Sequence, residues 1–313
     1  MPIVYALLGL VILVLSGDSL VRGAVDLSRR LGIPALVVSL TIVAIGTSAP
    51  ELLVSISAVL EHAPGIAVGN VVGSNTANVL LVLGLPALLV GLDSTECDTK
   101  TSYVQMLVGT VLFIAILLVA PILWWHGIAL VGLYFLFMAQ AVRSIGSRRN
   151  RNKSGNQDAL LDGSSQGWLK IGAYLAIGVI GLPLGADLLV TNATIIASNL
   201  GVSETVIGLT LVAIGTSLPE LATTVSAAFR RQADVALGNV IGSNMANLLG
   251  VIGVASFFGP IPVSEAIIGF DIWVMVAASL LLIPFVYFRM IINRIWGAGF
   301  VAMYIIYVGM VLT

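Results

Sequence analysis

The stretch Leu40-Thr41-Ile42-Val43-Ala44-Ile45-Gly46-Thr47-Ser48-Ala49-Pro50-Glu51 returns 169 positions later as Leu209-Thr210-Leu211-Val212-Ala213-Ile214-Gly215-Thr216-Ser217-Leu218-Pro219-Glu220. A second run, Gly69-Asn70-Val71-Val72-Gly73-Ser74-Asn75-Thr76-Ala77-Asn78, returns at the same offset as Gly238-Asn239-Val240-Ile241-Gly242-Ser243-Asn244-Met245-Ala246-Asn247. Both belong to one gap-free alignment of 18–84 onto 187–253, with close to half of the positions identical. The best-matching residues are polar, and they lie inside otherwise apolar segments. The chain contains itself twice.

Composition decides the solvent. Of 313 residues, 58% are hydrophobic and 9% charged, whereas a soluble domain carries about 25% charged residues. So little charge cannot cover the surface of a soluble fold of this length. The same hydrophobicity excludes disorder and a coiled coil. The net charge of −1 provides no field for nucleic acid. A single cysteine, Cys97, excludes an internal disulfide framework and any multi-cysteine metal site. His62 and His126 are too few for a histidine-rich centre. A polytopic membrane protein remains.

A spanning helix needs about 20 mostly apolar residues. Ten segments qualify: 2–28, 34–60, 65–90, 102–121, 126–146, 168–198, 203–229, 234–258, 267–288 and 295–312. The first has no basic residue before Arg22, so it reads as a span and not as a cleaved signal peptide. The expected fold is an all-α integral membrane protein of ten transmembrane helices. Residues 1–146 form one five-helix repeat, 147–167 a linker, and 168–313 the second repeat. Five is odd, so the second repeat is inverted, as in many secondary transporters. All 14 Lys and Arg residues fall on one side of this layout. By the positive-inside rule that side is cytoplasmic. The expected setting is the cell membrane, with both termini outside and the arginine-rich linker inside.

Glu51 and Glu220 sit mid-span, where an unpaired carboxylate costs at least a few kcal/mol. Ala44, Thr47, Ser48 and Glu51 fall on one helical face, as do Ala213, Thr216, Ser217 and Glu220. Pro50 removes the N–H that would bond the Gly46 carbonyl, and Gly46 adds local flexibility. Carbonyls near 44–47, and near 213–216 in the second copy, are therefore candidates to face a ligand. Broken helices of this kind are tolerated only inside protein or along a cavity. Asn70, Ser74 and Asn78 share a face of the third span, and Asn239, Ser243 and Asn247 match them on the eighth. For Asn70, Asn239, Asn75 and Asn244, interhelical bonding and ligand binding are both open. Gly65, Gly69 and Gly73 form a small-residue stripe suited to close packing. All these donors are oxygens. Oxygen-only coordination with two carboxylates suits hard cations, above all Ca²⁺, with Na⁺ of similar radius.

With Gly-Thr-Ser-x-Pro-Glu at 46–51 and 215–220, and Gly-Ser-Asn-x-Ala-Asn at 73–78 and 242–247, the sequence resembles the cation/Ca²⁺ antiporter superfamily, in its Na⁺/Ca²⁺ exchanger branch. The resemblance implies Ca²⁺ and Na⁺ as transported ions, with no cofactor. It implies that Glu51 and Glu220 bind Ca²⁺ and share in Na⁺ sites, with the Thr47 and Thr216 carbonyls completing the Ca²⁺ site. It assigns the Ala44 and Ala213 carbonyls, with Ser48, Ser217, Ser74 and Ser243, to flanking Na⁺ sites, and places Asn78 and Asn247 at the centre. Alternating access would come from the first and sixth spans sliding past a fixed core. Several exchangers of this branch carry Asp at the position of Asn247. Here both central residues are Asn, which leaves Na⁺ or H⁺ open as the driving ion. A cation channel is the alternative from another class. An enzyme is disfavoured because no histidine or Ser–Lys dyad lies at membrane depth. The bilayer is the one partner implied, with no nucleic acid and no obligate protein partner.

Asp18 and Asp187 also repeat, and read either as helix-packing hydrogen bonds or as aids to ion access. Trp124, Trp125 and His126 read as an interfacial anchor, and Asp93, Glu96 and Asp98 as a solvated loop.

Overall fold

The computed structural model describes residues 1–119, 121–152, 166–201, 213–263 and 267–312. The described residues are all-α; eight of their helices, or nine with one bent pair taken as a span, are long and apolar enough to cross a membrane, and with one partly described helix they follow the expected order of ten in two inverted sets of five. Helix α1 is Pro2–Leu31, and α2 is a bent pair, Ala35–Thr47 and Ala49–Leu60. Then come α3 (Pro64–Val90), α4 (Lys100–Val119), α5 (Trp124–Asn152) and α6 (Trp168–Asn199). Helix α7 is described from Ala213–Thr216 and Leu218–Phe229. The set closes with α8 (Ala233–Ala255), α9 (Ile267–Tyr287) and α10 (Arg294–Leu312). The first half of the seventh expected span, 203–212, lies outside the described residues, as does 153–165 of the expected linker.

The apolar span of α5 ends at Arg143, and its helix continues to Asn152, into the expected linker. Asp18 makes a helix-packing bond: it accepts from Arg230 at the end of α7 and is also paired with Arg22 at 2.9 Å.

Helices α1 and α6, of 30 and 32 residues, run antiparallel in contact along their length. Glycines let the backbones touch. A methyl group at Gly178 would lie 2.5 Å from Leu20 Cβ, and one at Gly9 2.6 Å from the Leu189 nitrogen. Gly23, Gly181 and Gly185 meet Leu175, Ser16 and Leu13 in the same way. These two helices lie at the edge of the fold, whereas 78% of the apolar window of α3 and 94% of that of α8 are buried. Polar side chains on α3 and α8 therefore face protein.

The repeat relation extends past the aligned stretch. Leu92 pairs with Ile292 and Ile122 with Ile261 in isolated antiparallel β-bridges. Shifting 92 by 169 gives 261, and shifting 122 by 170 gives 292, so these are one contact formed twice. Gly127 packs on the Gly253 carbonyl, and Gly297 on the Gly84 carbonyl, in the same relation. The Trp124–Trp125 pair opens α5, and both rings are about half exposed. In the loop before α4, Asp93 accepts the Thr95 N–H and hydroxyl, which hold its carboxyl below the usual carboxylate range.

Candidate ion-binding site

Helices α2 and α7 break at equivalent serines. Ser48 has φ −83° and ψ 9°, and Ser217 φ −85° and ψ 2°. The two halves of α2 meet at 42°. Pro50 and Pro219 fall in the first turn of the new half-helix, where no N–H is needed. Glu51 and Glu220 follow directly, at the positive end of that half-helix dipole. Both are fully buried, and each lies within electrostatic reach of the other. Gly46 and Gly215 have ordinary helical backbone; what they supply is space. A methyl group at either would press on α6, 2.9 Å from Val179 Cγ2 or 2.7 Å from Val190 Cγ2.

Hydrogen bonds knit α2, α3, α7 and α8 around these glutamates. Ser48 donates to Glu220 Oε1 at 3.1 Å, and Ser243 donates to the same oxygen at 3.4 Å. The Thr47 hydroxyl lies 3.3 Å from Ser243 Oγ and 3.2 Å from Asn239 Oδ1. The Ala44 carbonyl accepts the Ser48 N–H at 3.0 Å and has the Thr47 hydroxyl at 3.3 Å. In the other half-site, Thr216 donates to Asn70 Oδ1 at 3.4 Å. Ala213 begins the described part of α7. Asn78 donates to Asn244 Oδ1 at 3.1 Å, and Asn75 to the Asn244 carbonyl at 3.2 Å, so the helices α3 and α8 are bonded directly at their crossing.

Among the described residues, a set of buried polar atoms has no hydrogen-bond partner: both carboxylate oxygens of Glu51, Oε2 of Glu220, the hydroxyls of Ser74 and Ser217, the amide oxygens of Asn75 and Asn78, and both amide atoms of Asn247. Buried polar groups in proteins are normally bonded, so such a set marks a place built for something polar. Glycines 65, 69 and 73 do not pack tightly on any described residue. Their mates Gly238 and Gly242 do, on Ser39 and Ala44.

Three features escaped the sequence reading. The π-helical turns Asn78–Val82 and Ala246–Val251 each contain a central asparagine, Asn78 at the first position of one and Asn247 at the second of the other, as π-turns often occur at functional positions. Met106 Sδ receives an N–H from Asn244 at 3.8 Å. Met106 and Met275, both buried, stand at the repeat offset of 169, which was the available signal. Ser39 ties α2 to α8 by bonding the Val235 carbonyl at 2.6 Å.

Known proteins share this fold and sequence. The family described as "Sodium/calcium exchanger protein" matches residues 1–142 and 170–313. The chain belongs to the sodium/calcium exchanger family. The exchanger is 36% identical over 315 residues to the sodium/calcium exchanger MaX1 of Methanosarcina acetivorans, covering 90% of this chain and 89% of that one. It is 36% identical over 302 residues to an uncharacterised membrane protein of Methanocaldococcus jannaschii, covering 96% and 95%. A solved structure of the sodium-calcium exchanger NCX_Mj, soaked with zero Na⁺ and Ca²⁺, superposes with a TM-score of 0.81 at 35% identity, covering 99% of this chain and 98% of that one. As a member of this family the exchanger is a multi-pass membrane transporter of cations and not an enzyme.

Proposed function

We propose that the exchanger moves Ca²⁺ across the membrane against Na⁺ by alternating access, with the ions held mid-membrane between α2, α3, α7 and α8. The carrying observation is the set of buried oxygens without partners around Glu51 and Glu220. Carboxylates in low dielectric demand compensation. One Ca²⁺ neutralises the pair, and so do two Na⁺. An ion-free site leaves two buried anions uncompensated, which opposes reorientation of the empty carrier and so enforces exchange.

In this reading Glu51 and Glu220 bind Ca²⁺ with the Thr47 and Thr216 carbonyls. The Ala44 and Ala213 carbonyls serve Na⁺ with Ser48, Ser217, Ser74 and Ser243, while Asn78 and Asn247 line the centre. The absence of sulfur and imidazole from the donor set agrees with hard cations. Residues 1–146 and 168–313 act as the two inverted units. Helices α1 and α6, joined through their glycine faces, slide as one body past the buried α3–α8 core. The arginine-bearing ends face the cytoplasm of a cell whose plasma membrane holds the protein.

The test is Ca²⁺ uptake by purified protein in proteoliposomes loaded with Na⁺ and diluted into Na⁺-free buffer at matched pH. Uptake that requires internal Na⁺ is expected. Uptake driven by a pH gradient alone would overturn the Na⁺ coupling and make the protein a Ca²⁺/H⁺ antiporter. Flux with no counter-ion requirement would make it a channel.

A further inference from the structure

We infer that Asn70 and Asn239 are positioning residues that tie each repeat's glutamate helix to the other repeat's threonine, and that Asn239 keeps the Ala44 carbonyl open to a cation. The inference rests on the exchange site proposed above.

Asn239, on α8, donates from Nδ2 to the Glu220 carbonyl at 3.3 Å and to Thr224 Oγ1 at 3.1 Å, both on α7. Its Oδ1 lies 3.2 Å from Thr47 Oγ1 on α2. Asn70, on α3, repeats the pattern with the helices exchanged. Its Nδ2 donates to the Glu51 carbonyl and to Ser55 Oγ on α2, each at 3.3 Å. Its Oδ1 accepts from Thr216 on α7 at 3.4 Å. A carbonyl can only accept, so each amide must turn its nitrogen to the glutamate backbone and its oxygen to the threonine. Both ends of each amide are thereby used. This separates Asn70 and Asn239 from Asn78 and Asn247, whose amide oxygens have no partner.

The Thr47 hydroxyl has one proton. The Asn239 oxygen, at 3.2 Å, competes for it with the Ala44 carbonyl, at 3.3 Å, and Ser243 Oγ also lies in reach. While Asn239 holds the proton, the Ala44 carbonyl accepts the Ser48 N–H and keeps a lone pair from the Thr47 hydroxyl. Without Asn239 the proton is divided among the acceptors left in reach, the Ala44 carbonyl, Ser243 Oγ and the Glu220 carboxylate, and the carbonyl takes a share of it. The fully buried Asn239 is bonded more closely than the half-buried Asn70, so its effect is the larger.

The experiment is a double-mutant cycle of Asn239→Ala and Thr47→Val. Half-saturation by Na⁺ and by Ca²⁺ is read separately from ion-induced thermal stabilisation of the purified protein. Asn239→Ala is expected to weaken Na⁺ half-saturation about 5- to 10-fold, the worth of one buried hydrogen bond, and Ca²⁺ much less. In the Thr47→Val background it adds nothing. Multiplicative effects in the double mutant, or equal weakening of both ions, overturn the inference, because a merely loosened fold affects both alike. If Asn239→Ala does not fold, Asn70→Ala with Thr216→Val tests the cross-repeat tie in the same format, and additive effects overturn it. Wild-type exchange is measured in parallel. Its failure would sink the proposed function, while the binding cycle would still decide the role of the asparagines.

Discussion

Glu220 and Glu51 hold equivalent positions in the two repeats, and both are fully buried, yet their surroundings differ. Glu220 Oε1 receives two hydroxyls, from Ser48 and Ser243. Among the described residues Glu51 receives none, and the hydroxyls of Ser217 and Ser74, the repeat mates of those serines, have no partner. The difference continues outward. Gly17 of α1 sits against the Ala222 backbone of α7, so that an added methyl would lie 2.9 Å from it, and Thr223 is fully buried. Their mates on α2, Leu53 and Val54, are 67% and 36% exposed. At the end of that closed contact Asp18 is paired with Arg230. The mate of Arg230 is Glu61, and Asp187, the mate of Asp18, is exposed and has no ion-pair partner among the described residues. The same motif thus stands in two environments. Edge helices that lean on one repeat at one end cannot lean equally on the other, so a single conformation breaks the symmetry of the sequence.

Four measurements break or sharpen this comparison. Glu51→Gln and Glu220→Gln should each lower Na⁺-driven Ca²⁺ uptake by at least about 100-fold, since each leaves the remaining buried charges mismatched. A large effect at one glutamate only would mean that the asymmetry is functional and not conformational. Gly17→Val should destabilise the protein by about 1–3 kcal/mol through overpacking against backbone. Leu53→Val on the exposed mate surface should change stability by less than about 0.5 kcal/mol. Thermal unfolding in detergent compares the two. Under the same conditions without ions, Ser48→Ala should cost about 1 kcal/mol and Ser217→Ala almost nothing, because only Ser48 has a bond to lose. Equal losses would contradict the asymmetric site. Smallest of all, Arg230→Ala should cost about 0.2–1 kcal/mol, as partly exposed ion pairs do. That loss should shrink as salt rises through the Debye range, and Asp187→Ala should show no such salt dependence.

The repeats, the ten spans and the mid-span glutamates were legible because each is written in residues close together in the chain. The breaks in α2 and α7 were legible for the same reason. Pro50 and Pro219 deny a donor to a carbonyl one turn back, and the helix yields at Ser48 and Ser217. The glycines at 46 and 215 were legible as residues but misread as flexibility, because their use depends on Val179 and Val190 of α6. The roles of Asn70 and Asn239 stayed open for a similar reason. Their Thr216 and Thr47 partners lie 146 and 192 residues away. The π-turns at Asn78 and Ala246 had no local signature.

By itself, then, the sequence determined membrane residence, inverted duplication, the positions of the helix breaks and which polar residues lie at mid-span. Composition, periodicity and proline geometry act over one or two turns and need no distant partner. Only the tertiary structure decided which glutamate is hydrogen-bonded, which asparagines are tied and which are free, and which end of the α1–α6 pair is closed. The two repeats are too alike in sequence to settle those choices. They follow from how helices far apart in the chain pack against one another.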